Sequence, residues 1–188
     1  MQLLEKCKEL STKKLEAHPE RLLHTIGVVE MATYLAKIYG VDEIKAQIAA
    51  YMHDYCKYDD VLLAKDLLNE IDLAECEKYP FLYHAYMAAE YFKKYVAYDE
   101  EIYLAIRNHV FGRVNMTKLE EIIMISDYTE KNRKYKDCIH CRELIFEGKI
   151  DEAIYQSLLN TINHCINKNE EPHPVQIAVC RQIKERIL

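Results

Sequence analysis

Only four glycines and four prolines interrupt the 188 residues, and between them apolar side chains recur every three or four positions almost throughout. That spacing is the period of the α-helix, and a chain so short of turn formers has few places to make the tight reversals of a sheet. The spacing predicts an all-α protein, with helices over residues 3–17, 19–40, 42–54, 83–95, 99–110, 117–130, 137–147, 151–167 and 174–188. Shorter helical pieces are expected between 60 and 79. The punctuation agrees: Pro19 suits a first helical turn, Gly40 and Gly148 close helices, Asp42 caps one, Pro80 breaks the pattern, and Thr117 with Glu120 reads as a capping box. A loop carrying Gly112 and Asn115 separates two of the helices. With no internal repeat, low-complexity tract or long linker, a single domain over residues 1–188 is expected, long enough to bury about 70% of the surface of its unfolded chain.

Charge narrows the partners. Lys and Arg number 25 against 31 Asp and Glu, a formal net charge of −6, which argues against a dedicated nucleic-acid binder because such proteins gain affinity by displacing counterions with basic side chains. An anionic ligand would have to be held locally, so a small molecule is the expected partner. Residues 1–10 are charged, unlike a signal peptide, and no apolar run approaches membrane-spanning length. A cytoplasmic protein that does not associate with membranes is the expectation, and a homodimer stays open. Seven cysteines, an odd number without a regular framework, read as reduced thiols used as small hydrophobes. Cys138 and Cys141 form a lone C-x-x-C within a helical pattern, where packing is favoured over a metal or redox role.

Several polar side chains stand where the pattern asks for apolar ones. His24 shares its helix face with Gly27, Val28, Met31, Ala32 and Leu35. Gly27, one turn away, costs a helix about 1 kcal/mol unless the missing side chain leaves useful room. His53 and Asp54 follow the small residues Ala46, Ala49 and Ala50, and a carboxylate in that context needs a positive partner or a metal. His109 lies behind Ile102, Ala105 and Ile106; Asp127 follows Ile122, Ile123, Met124 and Ile125; His84 opens the helix carrying Met87 and Ala88. A buried hydrogen-bond network is one explanation. A metal centre is favoured, since imidazole nitrogen and carboxylate oxygen together suit Fe, Mn, Zn or Ni.

The order His24, His53-Asp54, Asp127 resembles the H…HD…D signature of the HD-domain phosphohydrolases, a helical superfamily. The surrounding motifs are R-x-x-H-T-x-G-V at 21–28, A-x-x-x-H-D-x-x-K at 49–57, A-I-R-x-H at 105–109, G-R-x-N-M at 112–116 and D-Y-x-E-x-N-R at 127–133. These are similar to the YqeK family of symmetrical diadenosine tetraphosphate hydrolases, over roughly residues 18–159. The resemblance implies an HD-type helical bundle whose C-terminal helices pack on the motif core. It implies His24, His53, Asp54, His84, His109 and Asp127 as ligands of one or two divalent transition-metal ions, iron first and manganese second, with Asp54 as the bridge. The implied reaction splits diadenosine tetraphosphate into two ADP with metal-activated water. An HD nucleotidase acting on another nucleoside phosphate and a non-catalytic nucleotide-sensing module are the alternatives. The sequence departs from the family at Val110 and Phe111, where two threonines are common, at the neighbours of His84, and at Lys131, where a proline is expected.

A polyphosphate needs cations beside the metal. Lys57 lies four residues after His53 and three after Asp54, and Arg21 three before His24, so each can share a helix face with a ligand. Both are expected, with Asp54, to act in catalysis. Arg113 and Arg133, suited to paired contacts with phosphate, and Gly112 in the loop are further candidates for holding substrate. Arg107, two positions from His109, should point to the other side of its helix.

Overall fold

The computed structural model describes all 188 residues and contains eleven α-helices and no strand. They are α1 (Gln2–Leu15), α2 (Pro19–Tyr39), α3 (Glu43–Met52), α4 (Ala64–Leu67), α5 (Glu70–Lys78), α6 (Tyr83–Tyr91), α7 (Glu100–Arg107), α8 (Lys118–Thr129), α9 (Lys136–Phe146), α10 (Ile150–Asn167) and α11 (Pro174–Ile187). Short 3₁₀ turns precede α4 and α6, and a wide turn over Phe92–Val96 extends α6.

Local chemistry sets the boundaries. Asp42 accepts hydrogen bonds from the backbone N–H groups of Ile44 (2.8 Å) and Lys45 (3.1 Å) and starts α3. Thr117 and Glu120 make the reciprocal capping box at α8, and Gly40 takes the left-handed conformation (φ 68°) that ends α2. Two of the helices that stop short of their predicted ends do so at histidines. α3 finishes at Met52 rather than at 54, and α7 at Arg107 rather than at 110. In each case a histidine just beyond the helix directs Nδ1 at a carbonyl of the last turn, His53 at Ala50 O and His109 at Ile106 O, both at 2.7 Å. Side-chain bonding to the backbone competes there with continuation of the helix.

α8 is the central element. Leu119, Ile122, Ile123, Met124 and Ile125 are all buried, so the helix is apolar around most of its circumference and has neighbours on several sides. It packs against α2, α3, α7, α9 and α10, and one contiguous core runs from Cys7 in α1 to Ile183 in α11. α3, with Ala46, Ala49 and Ala50 fully buried, lies between α1, α2, α7 and α8. Its small side chains let those helices approach closely.

Away from this core, Arg107 points where its spacing predicts. It makes two hydrogen bonds to Asp72 of α5 and stacks 3.6 Å from the ring centre of Tyr86 in α6. Tyr86 in turn donates to Glu75, which also accepts from His173 at the start of α11. α5, α6, α7 and α11 are thereby joined by polar contacts. Cys138 and Cys141 are buried in α9.

Phe92, fully buried at the turn after α6, anchors the helix that carries His84. Phe92→Ala should cost about 3–5 kcal/mol of unfolding free energy. Equilibrium urea denaturation checks this, and a loss below 1 kcal/mol would show that α6 is held by other contacts.

Candidate metal centre

Six side chains from five helices and their ends meet at one place. His24 comes from α2, His53 and Asp54 from the turn after α3, His84 from the start of α6, His109 from the turn after α7 and Asp127 from α8. His24, His53, Asp54, His84 and His109 are buried, and Asp127 is partly exposed. His24 Nε2 lies 3.0 Å from Asp127 Oδ1 and 3.7 Å from Asp54 Oδ2. His53 Nε2 lies 3.2 Å from Asp54 Oδ2. His84 Nε2 is 3.2 Å from Asp54 Oδ1 and 3.1 Å from His109 Nε2.

The outer nitrogens of three of these rings are tied. Nδ1–H of His53 and of His109 donates to a backbone carbonyl, and Nδ1 of His24 lies 3.3 Å from Glu130 Oε1. Each of these bonds fixes the tautomer that leaves Nε2 as a lone pair turned inward. Inside the cluster His24 Nε2, His53 Nε2 and Asp54 Oδ1 are buried without a hydrogen-bond partner. Close approach without hydrogen-bond alignment, between atoms that are all lone-pair donors, is what a shared cation resolves. Two overlapping sets place one ligand atom each within 4.8 Å of the others: His24, His53 and Asp127, and His53, Asp54 and His109. The donor set therefore fits a divalent transition ion.

Electrostatics agree. Burial alone would raise the Asp54 carboxyl, but His53, His84 and Lys57 outweigh it and hold the group well below the usual carboxylate range. Asp127 behaves alike: burial opposes its charge, while His24 and Arg133 hold it low. Burial, with His53 and His84 beside it, pushes His109 down to about 3, which keeps that imidazole neutral and able to coordinate.

Three cations surround the donors. Arg21 Nη1 donates to Asp54 Oδ2 at 2.7 Å, Arg133 Nη2 to Asp127 Oδ1 at 2.8 Å, and Lys57 Nζ lies 3.6 Å from Asp54 Oδ1 and 3.2 Å from His84 Nε2. With Asp54, Asp127 and Glu130 they balance three negative charges with three positive ones, so a divalent ion would leave the site positive. Two clefts open from it. One, of about 260 Å³, is lined by Lys57, His84, His109, Asp127 and Arg133 and by residues of α10 and α11. The other, of about 400 Å³, is lined by Arg21, His24, Glu130 and Arg133.

Gly112 and Arg113 are not brought to either of these clefts. The Arg113 guanidinium makes paired hydrogen bonds, both 2.7 Å, to buried Glu120. Gly112 supplies a positive φ (71°) in the turn beneath. Both shape the loop after α7 rather than the cleft wall.

Sequence reasoning missed Glu130, which orients His24, and Arg142, whose guanidinium binds the backbone carbonyls of Thr129, Glu130 and Arg133 and so sets the segment after α8. For Glu130 a signal existed. A Cβ at Gly27 would lie 2.2 Å from Glu130 Oε2, so the room left by that glycine is filled by a carboxylate and is not a cavity. Arg142 carries no such mark.

The HD domain family model matches residues 21–132. The symmetrical bis(5'-nucleosyl)-tetraphosphatase of Halalkalibacterium halodurans is 37% identical over 94% of this chain and 95% of that protein. Those of Staphylococcus aureus and Bacillus subtilis are each 34% identical, over 88% of this chain and 87% and 90% of theirs. A crystal structure from Clostridium acetobutylicum, described as a predicted HD superfamily hydrolase involved in NAD metabolism, superposes with a TM-score of 0.84 over 97% of each chain at 29% identity.

The packing of Glu130 against Gly27 generates a test. Gly27→Ala should weaken binding of Mn²⁺ about 10- to 100-fold by displacing the carboxylate that holds His24, although alanine is the better helix former. Isothermal titration of the purified protein reads this out, and an unchanged affinity would remove Glu130 from the centre.

Proposed function

This chain belongs to the HD-domain family and, within it, to the symmetrical bis(5'-nucleosyl)-tetraphosphatases, and from that premise we propose that it hydrolyses diadenosine tetraphosphate at the central anhydride to give two ADP. The observation that carries the reading is the set of buried, unpartnered donors, His24 Nε2, His53 Nε2 and Asp54 Oδ1, beside two clefts whose walls include Lys57, Arg21 and Arg133. The length of the match to the curated relatives supports it.

In this reading His24, His53, Asp54, His84, His109 and Asp127 hold one or two divalent ions, iron in preference to manganese. Asp54, whose Oδ2 faces His24 and His53 and whose Oδ1 faces His84, would be the carboxylate available to more than one ion. When bound, such an ion would supply Lewis acidity toward phosphate oxygens and lower the pKa of a bound water. The chain's own residues do the rest. Lys57, beside Asp54 and His84 at the cleft wall, meets the negative charge that grows on the phosphoryl oxygens as the anhydride breaks. Arg21 and Arg133 hold Asp54 and Asp127 in place, and their remaining N–H groups are suited to phosphates on either side of the scissile bond. Arg113 and Gly112 contribute by fixing the loop that follows His109. A small nucleotide is the partner this site accommodates. No helix is long and apolar enough to cross a membrane.

Incubating the metal-loaded protein with diadenosine tetraphosphate should yield two ADP per substrate consumed, resolved by anion-exchange chromatography. ATP with AMP, or phosphate released only from mononucleotides, would overturn the assignment.

Substitutions separate the roles. Asp54→Asn should lower kcat by about a thousandfold or more and reduce bound metal. Lys57→Ala should lower kcat about 10²- to 10³-fold with metal content retained. Steady-state kinetics alongside elemental analysis distinguish the two patterns, and near-normal turnover in either variant is incompatible with its role.

A further inference from the structure

The cleft that contains Lys57, Asp127 and Arg133 is completed by residues of α10 and α11, among them Ser157, Thr161 and Gln176. Gln176, in the first turn of α11, is 1% exposed, and its Oε1 is buried without a hydrogen-bond partner. Its amide orientation follows from Thr161. The Thr161 hydroxyl donates to backbone carbonyls of its own helix, Leu158 O at 2.9 Å and Ser157 O at 3.1 Å. With its only proton so used, the hydroxyl accepts, and Gln176 Nε2 donates to it at 2.6 Å. Oε1 is thereby left as an acceptor. No side chain donates to it in the structure, and the hydroxyl of Ser157 in the same cleft is spent on Ile154 O. A buried carbonyl oxygen without a donor is costly, and its natural complement is an N–H group arriving with a ligand.

We infer that Gln176 is a specificity-determining residue, whose Oε1 accepts a hydrogen bond from the exocyclic 6-amino group of an adenine seated in this cleft. The inference rests on the proposed reading that the site takes an adenine nucleotide. The phosphates lie toward Lys57 and Arg133 and the base toward α10 and α11, between apolar side chains such as Phe111 and Leu158. Thr161 acts as a positioning residue, since it holds the Gln176 amide in the orientation that presents oxygen rather than nitrogen.

The test compares equilibrium binding of ADP with that of purine riboside 5'-diphosphate, which is ADP lacking only the 6-amino group, to the metal-loaded full-length protein. ADP should bind about 10- to 100-fold more tightly, since the analogue leaves Oε1 unpaired. Gln176→Met, close in volume, should lose most of that preference. Thr161→Val should reduce it as well, because an amide free to turn can offer its N–H to the ring nitrogen of the analogue. Equal affinity of the unaltered protein for the two nucleotides, tighter binding of the analogue, or binding of neither overturns the inference, as does a preference that survives in Gln176→Met. The outcome is separable from the reaction. A protein that cleaves diadenosine tetraphosphate yet ignores the 6-amino group retains the proposed function without this contact. One that prefers ADP but cleaves nothing retains the contact without the function.

Discussion

A carboxylate with almost no access to water, Asp54, is the constraint around which the molecule is arranged. At 1% exposure an isolated charge there would be prohibitively expensive, so the surroundings must either neutralise it or pair it. Arg21 pairs it by a 2.7 Å hydrogen bond and Lys57 approaches from the following turn, while the inward nitrogens of His53 and His84 stand 3.2 Å away. Arg21 is delivered by α2 and His84 by α6, while His53 and Lys57 flank Asp54 in the turn after α3, which is why these helices must be in register for the charge to be tolerated. The same arrangement leaves lone pairs facing one another, a condition that a cation turns from repulsive to attractive.

The helices achieve this by placing the reactive side chains at their ends. His53, Asp54 and His109 stand just past α3 and α7, where the ring Nδ1 atoms take carbonyls of the last turn and the backbone is released from helical geometry. A helix interior can project only every third or fourth residue to one side, whereas two adjacent donors at a helix terminus can both face inward. His24 is the exception, within α2, and it needs a carboxylate from across the bundle to hold its ring. Gly27 admits that carboxylate by bringing the helix surface close to Glu130. Arg142 then secures the backbone around Glu130 from the far side.

The HD family model covers the six clustered His and Asp residues but stops at residue 132, and the rest of the cleft wall comes from beyond it. α10 and α11 contribute Ser157, Leu158, Thr161 and Gln176. They are attached to the motif core through the Arg107, Asp72, Tyr86, Glu75 and His173 contacts and through Arg186, which pairs with buried Glu121 of α8. The clustered His and Asp donors and the α10–α11 wall of the cleft thus belong to different helices, joined by these polar contacts.

Much of this was legible in the residue order. Helical period, scarce glycine and proline, and cap residues such as Asp42, Thr117 and Glu120 act over a few positions, so they determine secondary structure without knowledge of the fold. The clustered donors stood out because His and Asp on apolar faces are costly whatever the topology. What the sequence left open depends on contacts between distant segments. That Gly27 makes room for Glu130, that Arg113 is spent on Glu120, that α3 and α7 end early, and that Gln176 meets Thr161 beside the metal donors were decided only when the helices packed. Local propensity is a property of neighbours along the chain, whereas a hydrogen bond between residues 106 positions apart, as between His24 and Glu130, exists only through the tertiary arrangement.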